Sequence, residues 1–418
     1  MATLIKNISS LVTVNAKGAL RRQGAEMQDI GEIKNGVMLF DNKILWLGTS
    51  EEFNKENIEE KLYIKIEETI DARGKTVLPG FVDSHTHLVF AGNRSEEFAR
   101  RLRGVTYQQI AKEGGGILKT MKATRAATVE ELAENGRKFA ISAMKHGTTA
   151  IEIKSGYGLT LESELKQLEA IKLLQNELSL HITPTFLGAH DIPPEYKNDR
   201  KKYIDIICKE MLPAVAGRRL AKYNDVFIDE GYYTLSEGKK ILEKGIELGL
   251  KPKVHCDEMA DTGSAALAAS LGAISADHLL FASDSSMDAM KASGTVATLL
   301  PGTAYFIRMP YANARKMIDK GLTVALSTDC NPGSSFTENM QTILSLAVIN
   351  MKMTVEEAIS ASTINGATAI EQSDIMGSLE VGKLANFTIS NCDSYTDIFY
   401  HFGINHIEQT FINGKRVV

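Results

Sequence analysis

Proline, cysteine and tryptophan are scarce in this chain, at nine, four and one among 418 residues. The four cysteines (Cys208, Cys256, Cys330 and Cys392) lie far apart and form no CxxC. A disulfide framework and a paired-thiol zinc site are therefore not expected, and the chain reads as a soluble protein of a reducing compartment. Long apolar runs are missing too. The stretch from Ile343 to Ile349 is broken by Ser345, whereas a membrane span needs about 18 apolar residues. The opening MATLIKNISSLVTVNAKG has neither the basic start nor the apolar centre of a signal peptide, so a cytoplasmic protein is expected. No block of like charge occurs and the formal net charge is −5. Without a basic face, a nucleic-acid partner is not expected, and a membrane partner is not either. What remains is a globular composition, 44% hydrophobic and 24% charged, sufficient for an ordinary core.

Two textures alternate along the chain. Near the start, TLIKNISSLVTV, GVMLFDNKILWLGT and KLYIKIEETID read as strands separated by the turn signals Asn35-Gly36 and Asp41-Asn42. The end reads the same way, with LANFTIS, IEQTFINGKRVV and the turn Asn413-Gly414. Between them lie eight short apolar runs: LPGFVDS (78–84), TTAIEI (148–153), ITPTFLG (182–188), DVFID (225–229), KPKVHC (251–256), GAISAD (272–277), TVATLLP (295–301) and TVALSTD (323–329). Helix-forming sequence such as ESELKQLEAIKLLQNEL or SEGKKILEKGIELG follows these runs. Eight such units are the arithmetic of a (β/α)8 barrel. An open doubly wound sheet would carry G-x-G-x-x-G after a strand, and none is present. The expected architecture is α/β: a TIM barrel over 77–370, and a small all-β sandwich domain built from 1–76 and 371–418.

The chemistry concentrates at the ends of those runs. His85-Thr86-His87 follows the first, and on a strand residues i and i+2 face the same side. Alone, HxH is as compatible with a surface pair as with a metal. However, His255 closes the fifth run, His278 follows the sixth, Asp329 closes the eighth and His190 follows the third. Five of nine histidines thus fall at the C-terminal ends of barrel strands, where barrel active sites are built. A metal site is expected there, with imidazoles suited to zinc, iron or nickel. The remaining histidines (His146, His181, His401 and His406) read as packing residues, and Cys256 and Cys330 as barrel interior.

This pattern resembles the amidohydrolase superfamily of metal-dependent hydrolases: HxH after strand one, His after strands five and six, Asp after strand eight. The segment GSLEVGKLANF (377–387) is similar to the one by which its members re-enter their β-domain. The resemblance implies that His85, His87, His255 and Asp329 hold one divalent metal per chain, zinc or iron. A second metal would need a carboxylated lysine ending strand four, and DVFIDEGYY has no lysine. Lys154, after strand two, reads as structural or electrostatic. Asp329 is the candidate base, Glu258 the proton donor to a leaving group, and His278 the support for an oxyanion or hydroxide. Asp257 and Asp261 read as helix-start acids.

Several loops narrow the resemblance: HTHLVFAGNR (85–94), EIKSGYGL (152–159), TFLGAHDIP (185–193), the stretch 255–279, and STDCNPGSS (327–335). They look like the members of that superfamily that degrade histidine by opening the cyclic amide of 4-imidazolone-5-propanoate to N-formimidoyl-L-glutamate. The implied step is attack of metal-bound hydroxide on the ring carbonyl. A propanoate suits a bidentate guanidinium, and Arg94 lies seven residues beyond His87. Its neighbours Arg100, Arg101 and Arg103 read as surface residues. Tyr157, His190, Glu258, Asn331, Gly333 and Ser334 complete the implied substrate contacts. The resemblance also implies a homodimer. Two alternatives stand beside this reading: a nucleobase-type deaminase on the same scaffold, and a barrel without catalysis acting as a binding module. Release of ammonia would mark the first, and a missing ligand would mark the second.

Overall fold

The structure is a computed structural model describing residues 2–105, 109–110 and 113–418. Its strands form two sheets of eight. One is all parallel and follows the chain in order: Phe81–Asp83, Thr148–Lys154, His181–Ala189, Tyr223–Ile228, Lys251–Cys256, Ser275–His278, Val296–Leu299 and Val324–Leu326. Each strand matches one of the eight apolar runs. The first and last strands meet just beyond their ends, where Thr86 bridges Cys330, Asp329 N–H donates to His85 O at 3.0 Å, and His87 N–H donates to Cys330 O at 2.9 Å. These bonds close the barrel and also fix the two histidines and the aspartate against one another.

The first run splits in two. Thr76–Pro79 belongs to the other sheet, and Phe81–Asp83 begins the barrel. Gly80 stands at the hand-over because a Cβ there would lie 2.1 Å from the Thr149 side chain. The second sheet is mixed and joins both ends of the chain. Ala2–Val12 runs at its centre, paired antiparallel to Glu32–Phe40 and parallel to Ile66–Asp71 and Thr76–Pro79. Phe387–Ser390 then joins antiparallel to Thr76–Pro79, and Ile407–Ile412 follows it. In its pairing this is one continuous sheet, with apolar clusters around Ile5, Phe40 and Phe387 and around Leu4, Leu39 and Ile58.

Local chemistry sets the helices. Thr128 with Glu131, Thr234 with Glu237 and Thr354 with Glu357 each form a reciprocal capping box at a helix start, satisfying amides that would otherwise lack partners. The helix Ile364–Ala369 packs against the barrel strands through Ala367 with Val82 and Ala150, and Ala369 with Val296 and Ala325. Among the described residues, no helix is long and apolar enough to cross a membrane.

Candidate metal centre and active-site cavity

The strand ends converge on a cavity of about 500 Å³. At its floor, His85, His87 and Asp329 bring ligand atoms within 4.8 Å of one another, and His85, His255 and His278 form a second such group. Asp329 Oδ1 lies 3.5 Å from His85 Nε2 and 3.4 Å from His87 Nε2. Its other oxygen accepts a 2.5 Å hydrogen bond from Thr303 Oγ1. The backbone turns sharply to produce this convergence. His278 and Asp329 both adopt positive φ, at 79° and 51°, a region that non-glycine residues rarely occupy and that clusters at functional sites.

The donor set fits a divalent metal. His85 Nε2 and both ring nitrogens of His255 are buried without a hydrogen-bond partner among the described residues, and buried polar nitrogens are seldom left so. Burial drives His85, His87 and His190 below the usual imidazole range and His278 to about 3. Neutral imidazole is the form that binds metal. For Asp329 burial works the other way. The hydrogen bond to His87 and the potential of His278 outweigh it and hold the carboxyl at about 2. Glu258, also buried, has only the more distant His278 Nδ1, at 3.6 Å. Burial, with the charges of Asp329 and Asp229 added, pushes it well above 4.5. Two carboxyl groups in one cavity are thus driven in opposite directions, Asp329 toward the ionised form and Glu258 toward the protonated one.

All seven residues implied as substrate contacts line the cavity: Arg94, Tyr157, His190, Glu258, Asn331, Gly333 and Ser334. Arg94 is about one-tenth exposed and is oriented by Glu97, whose Oε2 accepts from its Nε at 2.9 Å and from Gly116 N–H at 3.1 Å. Gly333 acts by having no side chain, since a Cβ would lie 2.3 Å from Arg94 Nη1. Gly333→Ala is therefore expected to displace the guanidinium and raise KM for a carboxylate substrate about tenfold, with metal content unchanged in elemental analysis; an unchanged KM would contradict that contact. Asn331 holds its own turn together. Its Oδ1 accepts from the amides of Gly333 and Ser334, both at 2.8 Å, so those donors are taken up inside the loop. His190 Nδ1 lies 3.0 Å from Gly156 O. A carbonyl can only accept, so in the neutral ring the proton sits on Nδ1 and Nε2 is an acceptor. A donor role for His190 toward a carbonyl or carboxylate does not fit that tautomer.

Some functional neighbours escaped the sequence reading. Arg101, read as a surface residue, lines the cavity, with its guanidinium 5.4 Å from the Phe306 ring and 5.9 Å from that of Phe98. Arg308 also lines it and carries no ion-pair partner among the described residues. Beneath the metal ligands lies a fully buried ion cluster. Lys154 Nζ is 2.8 Å from Glu152 Oε1 and 2.7 Å from Asp225 Oδ2, and Lys253 Nζ is 3.3 Å from Glu152 Oε2. Asp277 Oδ2 meets His85 Nδ1 at 2.6 Å. Elsewhere the modest readings fit the geometry. Asp257 caps the helix Ser264–Ser270 by accepting from Ser264 and Ala265 amides. His181 and His406 bond Asn413 and His401 O.

A parallel eight-stranded barrel with histidines and an aspartate at its strand ends defines the amidohydrolase class, and the Amidohydrolase family model matches residues 76–417. The chain belongs to the amidohydrolase family, and within it to the imidazolonepropionases. It is 47% identical over 418 residues to the imidazolonepropionase of Alkaliphilus metalliredigens, covering 99% of this chain and 97% of that one. Identity to the imidazolonepropionase of Geobacillus thermodenitrificans is 46% over 415 residues, with the same coverage. Solved structures share the fold at low identity. An adenosine deaminase from Xanthomonas campestris with bound zinc superposes with a TM-score of 0.70 at 15% identity, covering 99% of this chain and 92% of that one. A guanine deaminase from Clostridium acetobutylicum, with guanine bound, gives 0.68 at 14%, covering 100% of both chains.

Proposed function

We infer that the chain hydrolyses the cyclic amide of 4-imidazolone-5-propanoate, a step of histidine degradation, and releases N-formimidoyl-L-glutamate. The observation that carries the reading is one cavity holding both the histidine–aspartate cluster and a shielded guanidinium, Arg94. A nucleobase offers no alkyl carboxylate to that guanidinium. His85, His87, His255 and Asp329 would hold one divalent ion, zinc or iron. When bound, such an ion is a Lewis acid that polarises a carbonyl and makes water nucleophilic at neutral pH.

The protein groups supply the rest. Arg94 holds the propanoate by paired charge-assisted hydrogen bonds. His190 Nε2 accepts a ring N–H, as its tautomer requires, and Tyr157 packs edge-on against the His190 imidazole, ring centroids 5.2 Å apart. Asp329, ionised, takes a proton from the attacking water. As the carbonyl carbon gains oxygen and its bond to the ring nitrogen breaks, Glu258 gives that nitrogen a proton. Neutral His278 donates a hydrogen bond to the developing oxyanion. Water's oxygen ends in the new carboxylate, and the leaving nitrogen remains in the formimidoyl group.

The two carboxyls give the pH dependence a definite sign. Glu258 must hold its proton, so activity is lost as pH rises through its elevated pKa. Asp329 must be ionised, so it supplies no such limit above about pH 2. Glu258→Gln keeps a donor but no transferable proton. Its kcat should fall about 10²–10⁴-fold, and the alkaline limb of the kcat profile should disappear. A persistent limb would assign it to another group. Arg308 at the mouth predicts a milder effect: Arg308→Ala should raise KM a few-fold and weaken its salt dependence, with kcat unchanged, since exposed charges act mainly on encounter.

A substrate panel tests the assignment. Ring opening of 4-imidazolone-5-propanoate without ammonia release from guanine, adenosine or cytosine supports it. Ammonia from a nucleobase, with the imidazolone untouched, overturns it.

A further inference from the structure

The ion cluster beneath the ligands is too ordered to be packing alone. Glu152, Lys154, Asp225, Lys253 and Asp277 all have side chains with no exposure. Burying five charges is costly unless each is paired, and the residues they touch are the metal ligands. Asp277 Oδ2 accepts from His85 Nδ1 at 2.6 Å. Asp225 Oδ2 lies 3.0 Å from His255 Nδ1, and its Oδ1 accepts from the His255 backbone amide at 3.2 Å. The same two Oδ2 atoms face one ammonium, Lys154 Nζ, at 2.7 Å for Asp225 and 3.7 Å for Asp277. Lys253 anchors the other side, donating to Ser84 O at 3.0 Å, directly before His85.

We propose that Asp277 and Asp225, clamped by Lys154, are positioning residues that fix the tautomer and the orientation of His85 and His255. An imidazole ligates through an unprotonated nitrogen, and a carboxylate at Nδ1 keeps the proton there, leaving Nε2 free. His85 Nε2 is buried without a hydrogen-bond partner, and so are both ring nitrogens of His255; Asp225 therefore meets His255 Nδ1 as a close charge contact at 3.0 Å, and Asp277 meets His85 Nδ1 as a hydrogen bond. The other two histidines lack this support. His87 Nδ1 has no partner, and the nearest carboxyl to His278 Nδ1 is Glu258 at 3.6 Å. Two of the four rings therefore have a carboxylate directly behind Nδ1, at 2.6 Å for His85 and 3.0 Å for His255, and Lys154 makes them a unit because it lies against both carboxylates. Among the described residues, Lys154 has no contact with the cavity, so its action is indirect.

The inference rests on the ligand set proposed above, and the test separates the two. Asp277→Ala, Asp277→Asn and Asp225→Asn are purified beside the wild type and Asp329→Ala. Zinc affinity is measured by chelator competition, the visible spectrum after cobalt(II) substitution, and melting temperature as the control for folding. The expected result is a 10–100-fold loss of zinc affinity in Asp277→Ala with altered cobalt bands. Asp277→Asn should lose less, because its carbonyl still accepts from Nδ1. Asp225→Asn gives the independent reading for His255. Folded variants with wild-type affinity and an unchanged cobalt spectrum, lowered only in melting temperature, would reduce the cluster to a structural role and overturn the proposal. If zinc affinity is the same in the wild type and Asp329→Ala, the ligand set itself is wrong.

Discussion

Asp329→Ala is expected to lower kcat at least about 10³-fold, since general-base catalysis alone contributes about 10²–10⁴-fold, and to reduce metal content in the same protein. The two oxygens explain the double effect. Oδ1 faces His85 Nε2 and His87 Nε2 at 3.5 and 3.4 Å, and Oδ2 is held by Thr303. Removing the carboxylate takes away a negative charge from among neutral imidazoles and also the acceptor for the water proton. Asp329→Asn separates the roles. It keeps shape and an oxygen but cannot take the proton, so it should retain more metal than the alanine variant while remaining as inactive. Elemental analysis beside turnover reads both. An asparagine variant with full metal and near-normal kcat would assign the base elsewhere.

Arg94→Ala should lower kcat/KM by about 30-fold to several thousand-fold, the cost of about 2–5 kcal/mol for truncating one partner of a buried charge pair. Metal content should stay at the wild-type level, because Arg94 is not among the clustered ligand groups. The effect has to disappear on a substrate without the carboxylate. A ring analogue with a neutral side chain should be turned over poorly by the wild type and no worse by the variant. Arg94→Lys should recover only part of the loss, because an ammonium cannot form the paired, planar contact. Glu97 is buried and loses its counter-charge in the alanine variant, so a melting curve accompanies the kinetics. Equal losses on both substrates would remove Arg94 from carboxylate binding.

Much of the framework was legible because strands and helices carry different periods. Each apolar run before helical sequence became a barrel strand, and the histidines at their ends met in one cavity. Where the pattern misled, the cause was three-dimensional. The run 78–84 reads as one strand because sequence does not show that Gly80 passes it between two sheets. Arg101 sits among arginines that look solvated, but the stack of Phe98 on Phe306 gives it an aromatic face at the cavity. Gly333 and Ser334 read as substrate contacts, and the loop shows Asn331 Oδ1 already accepting from both of their amides. The buried cluster did leave a trace. Glu152 with Lys154, and Lys253 with His255, are i and i+2 pairs on strands, and charged residues facing a barrel interior need a reason. That alternation is the signal of an internal polar layer, and the sequence reading took from it only a structural or electrostatic Lys154; which carboxylate meets which imidazole depends on strand register.

Opening of a carboxylate-bearing lactam ring in this cavity, with the help of a divalent metal, can be followed directly. Its most direct test is the absorbance decay of freshly generated 4-imidazolone-5-propanoate with untreated, chelated and metal-restored protein, with the product identified by mass. Rapid decay to N-formimidoyl-L-glutamate, loss of the decay on chelation, and its return with zinc or iron are expected. No protein-dependent decay from metal-loaded protein would contradict that assignment.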